Sequence, residues 1–336
     1  MASAGSVSLE LGDHTLVISS PAKIYFDGIG ASKLDLVTYY VSVAEPLLGS
    51  TRGRPALLQR FPDGAQGKSF FQKRIPDGAP SWLETTTVTT PNGTTSNALV
   101  IADLAHVVWA VNLGSLGFHL WATRVSDPAH VDELRIDLDP QPGVGFDEVR
   151  AAARGVRSLL GELGIAGYPK TSGNRGLHVY VPLEPRWSAI EVRAAALALA
   201  RELERRNPEL FTASWWKEQR GARVFVDFNQ NAPHKTVFGP WSVRARAGAQ
   251  VSTPIGWEEV DTVEPDELTI ATVPERLRRL GDPWATMRDT PQSLEPLLQL
   301  VARDQAAGLH DAPWPPEYPK GADEPTRVAP SRARKA

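Results

Sequence analysis

Residues 135–143 read RIDLDPQPG. Two aspartates, Asp137 and Asp139, stand two apart in an apolar frame and are followed by Pro140 and Gly143. Side chains alternate along a strand, so both carboxylates share one face of what reads as a buried strand. Two bare anions there repel each other and are costly to desolvate together. A divalent cation that favours oxygen, Mg²⁺ or Mn²⁺, removes the conflict. The pair alone also suits a turn cap at Pro140 with the other aspartate matched to an arginine such as Arg135. The stretch therefore decides nothing until it is set beside others.

Three further segments supply the context. In KTSGNRGLHVYVPL (170–183), Gly173 and Gly176 frame a tight loop whose backbone N–H groups can approach an anion. Ser172 and Arg175 add donors there, and the following strand places His178 and Tyr180 on one face, where a phosphate contact and a core histidine are both open readings. In ARVFVDFNQN (222–231), an apolar run delivers Asp227, followed by Asn229, Gln230 and Asn231. In WSVRARAG (241–248), Arg244 and Arg246 share a strand face and can grip a polyphosphate, with Lys235 just upstream, although two exposed arginines on an edge strand read the same way. Three carboxylates, a glycine loop and paired arginines together describe two-metal phosphoryl transfer, in which catalysis is mostly positioning and charge stabilisation.

Composition narrows the partners. The 336 residues are 42% hydrophobic and 22% charged, with a formal net charge of -3, so no global basic field points to nucleic acid. A local patch exists at residues 51–80, where Arg52, Arg54, Arg60, Lys68, Lys73 and Arg74 face only Asp63 and Asp77. The chain has no cysteine, which excludes disulfides, thiolate zinc sites and thiol nucleophiles. The first residues show no signal peptide, and the longest apolar run, 98–111, is too short and too polar to span a bilayer. A cytoplasmic, nucleoid-associated protein is expected, with no membrane partner.

Helices are expected over 32–49, opened by Ser32 and Asp35, over 146–164, stopped by Gly164, and over 188–206, capped by Ser188 and Glu191. Residues 85–101 read as a hairpin around Pro91-Asn92-Gly93, and 134–139, 176–182 and 222–228 as strands. The mixture indicates an α+β fold. From about 312 the chain is Pro-rich and polar with a basic end, the pattern of a disordered tail.

At this point DLDP, TSGNRGLHVYVPL and VFVDFNQN…KT…SVRAR, in that order, resemble the three motifs of the archaeo-eukaryotic primase superfamily, and more closely the polymerase domain of bacterial ligase D, an end-joining repair enzyme. AKIYFDGIGASKLDLVTYY, GRPALLQRFPDG, FFQKRIPDGAPSWL and NLGSLGFHLW fit the same pattern, so the resemblance runs over roughly residues 15 to 290. It implies an antiparallel, RRM-like sheet with flanking helices and two interleaved subdomains around a cleft over 1–290. A C-terminal helix within 291–311 would pack on them, ahead of the tail 312–336.

The resemblance also implies roles. Asp137, Asp139 and Asp227 would hold two ions of Mn²⁺ or Mg²⁺. Ser172, Arg175, His178, Lys235, Arg244 and Arg246 would hold an incoming NTP or dNTP, with His119 against its sugar. A contact to the 2′-OH is the physical means of preferring ribonucleotides. Lys23 and Lys33 match a pocket for the 5′-phosphate across a gap, and Phe70 and Phe71 match aromatics that stack on template bases. Arg60, Lys73, Arg220 and Gln230 would face the template or primer end. Gln59 stands where relatives often carry a base, and Arg175 where lysine is common. With no ligase or nuclease motif before residue 336, a stand-alone polymerase is expected, working beside a separate ATP-dependent DNA ligase and with Ku as a further partner.

The expected activity is template-directed addition of one or a few nucleotides, often ribonucleotides, at short gaps or broken ends in excision repair or end joining. A primase that starts chains de novo shares the catalytic centre, but superfamily primases often add a zinc module and no Cys/His cluster exists here. A non-catalytic scaffold for 5′-phosphorylated ends and a metal phosphohydrolase are the remaining alternatives.

Overall fold

The computed structural model describes residues 5–320 and 324–327. The chain opens with the hairpin β1 (Ser6–Leu11) and β2 (His14–Ser19), then the short pair β3 (Ile24–Phe26) and β4 (Ala31–Ser32). Helices α1 (Lys33–Ser42) and α2 (Ala44–Thr51) follow. Next come β5 (Pro55–Arg60), β6 (Phe70–Gln72), β7 (Thr85–Thr89), β8 (Thr95–Val100), α3 (Leu104–Asn112) and β9 (Ser115–Trp121). The second half brings β10 (Val131–Pro140), α4 (Phe146–Glu162), β11 (Tyr168–Thr171), β12 (Leu177–Trp187) and α5 (Ala189–Arg206). The last elements are β13 (Phe211–Thr212), β14 (Val224–Val226), β15 (Thr236–Phe238), α6 (Val273–Leu280) and α7 (Glu295–Ala306).

Two larger sheets organise the molecule. One runs β11-β12-β10-β14-β13, and the other runs β15-β9-β5-β8-β7 with β6 on β5. All pairings are antiparallel except β13 with β14, so the fold is α+β. Local chemistry places the elements as the sequence indicates. Ser32 and Asp35 form a reciprocal capping box on α1, as Ser188 and Glu191 do on α5. The β7–β8 hairpin turns through Gly93 at φ +81°, a left-handed position that glycine adopts without strain. The helix expected over 32–49 is two helices, broken at Val43.

The two faces of β10 differ in kind. Leu134, Ile136 and Leu138 are buried toward α4 and α5, whose apolar stripes include Val149, Val156, Val192 and Leu199. The alternate residues Glu133, Arg135, Asp137 and Asp139 look the other way. Arg135 donates to the Leu120 and Trp121 carbonyls of β9 at 2.8 and 2.9 Å. Glu133 is shared between Arg135, at 2.5 Å, and Arg54 at the head of β5, at 2.6 Å. The seam between the sheets is thus charged along this strand, and its inner half is closed by paired ions.

The C-terminal elements depart from expectation in one respect. Helix α7 packs on α5, with Arg303 on Glu202 at 2.7 Å. The described part of 312–336 is not free of the domain: Ala312 and Tyr318 are buried, and Arg193 donates to the Ala312 carbonyl at 2.9 Å. Its prolines and aromatics fill a groove, which overrides the compositional reading of disorder. Arg332, Arg334 and Lys335 lie outside the described residues. Among the described residues no helix is long and apolar enough to cross a membrane.

Glu133→Ala leaves buried Arg135 without its carboxylate, while Arg54 keeps Asp132 at 2.6 Å. Breaking a buried pair in this way costs ~3–5 kcal/mol. Urea unfolding should show a loss of that order, and a loss under about 1 kcal/mol would mean that the seam is not held by these ions.

Candidate active site

The three aspartates arrive on adjacent strands. Asp137 pairs in register with His178 of β12, and Asp139 with Phe225 of β14. Asp227 follows β14 directly, and its backbone N–H donates to the Asp137 carbonyl at 2.9 Å. The side-chain amide of Gln230 donates to Oδ2 of both Asp137 and Asp227, each at 3.1 Å. Gln141 does the same for Asp139 Oδ2, also at 3.1 Å. Gln230, expected toward the primer, therefore bridges two of the expected metal ligands.

This convergence has an electrostatic consequence. Burial, then the charges of Asp227 and Asp139, push the Asp137 carboxyl up to about 7. Burial also raises Asp227, opposed by Arg220, by the Asn229 N–H and by Lys235. Two half-buried carboxylates whose surroundings oppose ionisation are the setting in which a divalent cation is favoured, and the donor set is all oxygen. Among the described residues, no group of three acidic or histidine side chains is gathered closely enough to hold an ion as it stands. Asp137 and Asp227 are brought together, and Asp139 is turned to Gln141.

The glycine loop packs against this strand. A Cβ on Gly176 would lie 2.5 Å from the Leu138 carbonyl oxygen, and one on Gly173, at φ +70°, would lie 2.8 Å from Arg244 Cγ. The loop is closed on itself rather than open to an anion. Ser172 Oγ accepts from the N–H groups of Asn174 and Gly176, both at 3.1 Å. Arg175 stands exposed at its tip. His178, expected on a triphosphate, is buried with Nε2 3.3 Å from Asp137 Oδ1. Its surroundings hold its pKa well below the ordinary value, through burial first and then Lys170 and Arg244, so the neutral ring can donate to the carboxylate.

Arg244 and Arg246 do not share a regular strand; Val243 makes only an isolated bridge with Val251. Arg244 donates to the Ser172 carbonyl at 2.9 Å and lies 3.6 Å from the Phe238 ring centroid. Arg246 pairs with Asp266 at 2.7 Å. Both line a cavity of about 310 Å³ with Gln59, Gly117, Asn174 and Phe238. His119 lies beside it, edge-on to Phe238 at 5.1 Å and to Phe71 at 5.6 Å. Its buried Nε2 has no hydrogen-bond partner among the described residues, and burial followed by the Arg244 charge lowers its pKa to about 4. A larger cavity of about 1040 Å³, lined by Arg54, Glu133, Tyr180 and Trp284, includes none of the three aspartates.

The expected DNA-facing residues divide. Phe70 and Phe71 are exposed at 49% and 53%, with Arg60 above the Phe70 ring at 5.3 Å, and Lys73 is exposed beside them. Lys23 is exposed and donates to the Pro62 carbonyl at 2.6 Å. Lys33 is only 4% exposed and donates to the Ser19 and Asn112 carbonyls at 2.6 and 3.1 Å. Burial and the neighbouring Lys23 lower its pKa. Arg220, expected at the primer end, is instead buried. It donates to the Ser214 and Trp215 carbonyls, both at 3.0 Å, and stacks 3.5 Å from the Phe225 ring centroid. Lys235 is held by Glu317 at 2.6 Å.

Two residues were missed. Lys170, fully buried behind the site, donates to Ser252 Oγ at 2.5 Å. Gln141 holds Asp139 as described above. A lysine inside an apolar strand immediately before the glycine loop was the available signal for the first. A lone glutamine after a turn gave none for the second.

In metal-free protein, the raised Asp137 carboxyl makes a stability contribution that is present at low pH and lost as pH climbs from the ordinary carboxylate range near 3.9 through about 7. Asp137→Asn removes that loss. Calorimetry in EDTA should find the variant melting a few degrees above the parent at pH 8, with the gap closing toward pH 4.5. A variant less stable than its parent at pH 8 contradicts this reading.

The family model for the LigD primase-polymerase domain matches residues 32–284. The multifunctional non-homologous end joining protein LigD of Mycolicibacterium smegmatis is 32% identical over 305 residues, 90% of this chain and 40% of that protein. The bifunctional LigD of Bacillus subtilis is 32% identical over 85% of this chain and 46% of its own length. The chain thus spans less than half of these relatives. Among solved structures, the polymerase domain of Mycobacterium tuberculosis ligase D in complex with DNA superposes with a TM-score of 0.76 at 33% identity, covering 81% of this chain and 97% of that one. The chain belongs to the family of LigD primase-polymerase domains, whose chemistry is nucleotidyl transfer.

Proposed function

We propose that the protein is a template-directed nucleotidyltransferase of DNA repair that fills short gaps or broken ends bearing a 5′-phosphate and prefers ribonucleotides. The observation that carries this is the meeting of Asp137 and Asp227 under one glutamine amide, with Asp137 within reach of the charge of Arg244, which lines a cavity together with Arg246. Asp137, Asp139 and Asp227 would hold two divalent ions, Mn²⁺ or Mg²⁺. Such ions lower the pKa of an attacking hydroxyl and neutralise the leaving diphosphate.

The remaining roles follow from placement and charge. Arg244, with Arg246, Arg175, Ser172 and Lys235, would face the triphosphate, Arg246 and Lys235 exchanging Asp266 and Glu317 for it; planar guanidinium forks suit phosphate oxygens. His178, neutral and against Asp137, orients that carboxylate and is a second-rank phosphate contact. His119 offers an unpaired ring nitrogen to the sugar, where a 2′-OH can satisfy it and a deoxyribose cannot. Lys23 and Lys33 lie near each other, and Lys33 has only neutral oxygen acceptors, so a phosphate dianion would relieve both. Phe70 and Phe71, exposed beside Arg60 and Lys73, are suited to stacking on template bases without sequence preference. Sealing would fall to a separate ATP-dependent DNA ligase, with Ku as a recruiting partner in end joining.

Primer extension across a one-nucleotide gap tests this, comparing ribo- and deoxyribonucleotides with Mn²⁺ or Mg²⁺, and duplexes with and without the 5′-phosphate. Ribonucleotide addition should dominate, Asp227→Ala should abolish it, and His119→Ala should narrow the preference. Extension unaffected by Asp227→Ala, or nucleotide hydrolysis without DNA, would replace the proposal with a scaffold or a phosphohydrolase.

The lysine pocket has its own signature. Lys23→Ala should weaken binding to the 5′-phosphorylated gap by about tenfold and lower the slope of affinity against salt by about one. It should leave binding to the unphosphorylated gap nearly unchanged. An equal loss on both substrates would place Lys23 on the general backbone track instead.

A further inference from the structure

Residues 311–318 lie beyond the stretch matched by the family model, yet they fasten onto the turn that carries Asp227. The link runs through Arg193 of α5, which is 1% exposed. Its Nε donates to Asn229 Oδ1 at 2.7 Å, and one terminal nitrogen donates to Asp311 Oδ1 at 2.8 Å. The other donates to the Ala312 and Pro313 carbonyls at 2.9 and 3.4 Å. The guanidinium lies 3.9 Å from the Trp314 ring centroid and 5.4 Å from that of Phe228. Asn229 donates from Nδ2 to the Pro313 carbonyl at 3.3 Å, and its backbone N–H donates to Asp227 Oδ1 at 3.1 Å.

The same strap takes hold again further along. The Tyr318 hydroxyl donates to the Pro233 carbonyl, and Glu317 pairs with Lys235 at 2.6 Å. Segment 227–235 is therefore gripped at Asn229, Pro233 and Lys235. It contains one short 3₁₀ turn, Phe228–Asn231, which Asn231 ties to the Arg135 backbone of β10 at 2.7 and 2.9 Å, while the strap holds its Asn229 side. The strap supplies Arg193 with the Asp311 carboxylate and two carbonyls, the compensation that a charge needs where it is 1% exposed. Arginine and strap are thus ordered together.

We infer that Arg193 is a positioning residue for nucleotidyl transfer, and that residues 311–318 complete it by holding Asn229, and through Asn229 the carboxylate of Asp227. This rests on the reading of Asp227 as a metal-binding carboxylate. Misplacement of a reacting group by about 1 Å costs up to ~10²-fold in rate, so a modest slackening of the turn is measurable.

The test uses the full chain with Arg193→Lys and Trp314→Ala. Readouts are single-nucleotide addition on gapped duplex, Mn²⁺ binding without nucleotide by electron paramagnetic resonance, and melting temperature. Arg193→Lys keeps the charge but cannot span Asn229 and the strap together. It should lower kcat about tenfold and weaken Mn²⁺ binding several-fold, with nucleotide KM within about twofold. Trp314→Ala should move the same quantities in the same direction by less, and it decides the matter if Arg193→Lys fails to fold. Variants that match the parent in kcat and Mn²⁺ affinity, with only melting lowered, overturn the inference. If the parent itself adds no nucleotide but Arg193→Lys still weakens Mn²⁺ binding, the proposed function fails and the positioning role stands.

Discussion

The structure is arranged around a conflict of like charge. Asp137 and Asp227 are desolvated side by side, and Asp139 adds to the repulsion on Asp137. The relief available from the chain is incomplete. One glutamine amide reaches both carboxylates, a neutral histidine touches one, and Lys170, Arg244 and Arg220 act from a distance. Four residues earlier on the same strand face, Glu133 receives two arginines in direct contact. A strand that neutralises one acidic position fully and leaves another under tension has separated a structural task from a chemical one. Stability is sacrificed at the carboxylates proposed above to hold cations.

Family membership and geometry meet at this point. The likeness to a polymerase domain solved with DNA covers most of the chain at a third identity, so the fold and the family are shared. What the neighbour holds is not thereby held here. The proposed nucleotide and DNA contacts stand on placement in this molecule: arginines at a cavity of nucleotide scale, phenylalanines outside the core, and a buried lysine with only neutral acceptors beside Lys23, whose carboxylate partner Asp63 stands at 3.5 Å.

Much of this was legible in the sequence because it depends on local rules. Capping boxes at Ser32 and Ser188, the turn at Gly93 and the alternation around Asp137 each follow from a few neighbouring residues. The failures lie where distant segments decide. Arg220 matches a loop residue at the primer or template end, and here Phe225 and two carbonyls hold it inside. Arg246 looked like a twin of Arg244 on one strand, but the segment forms a single bridge and Asp266 claims it. The proline-rich end looked disordered by composition, yet buried Arg193 gives its first residues a partner that composition cannot reveal. The amides of the glycine loop looked free for an anion, but Ser172 consumes two of them.

The contact between Gly176 and the Leu138 carbonyl sets a mechanical limit. At 2.5 Å there is no room even for a methyl group between the loop and the strand that bears Asp137 and Asp139. The Ser172 hydroxyl, accepting from the Gly176 N–H, closes the loop on itself as well. Loop and strand therefore behave as one solid piece. Any opening or closing around a substrate must then come from other segments, and the exposed phenylalanines and the lysine pair are carried on separate, shorter ones.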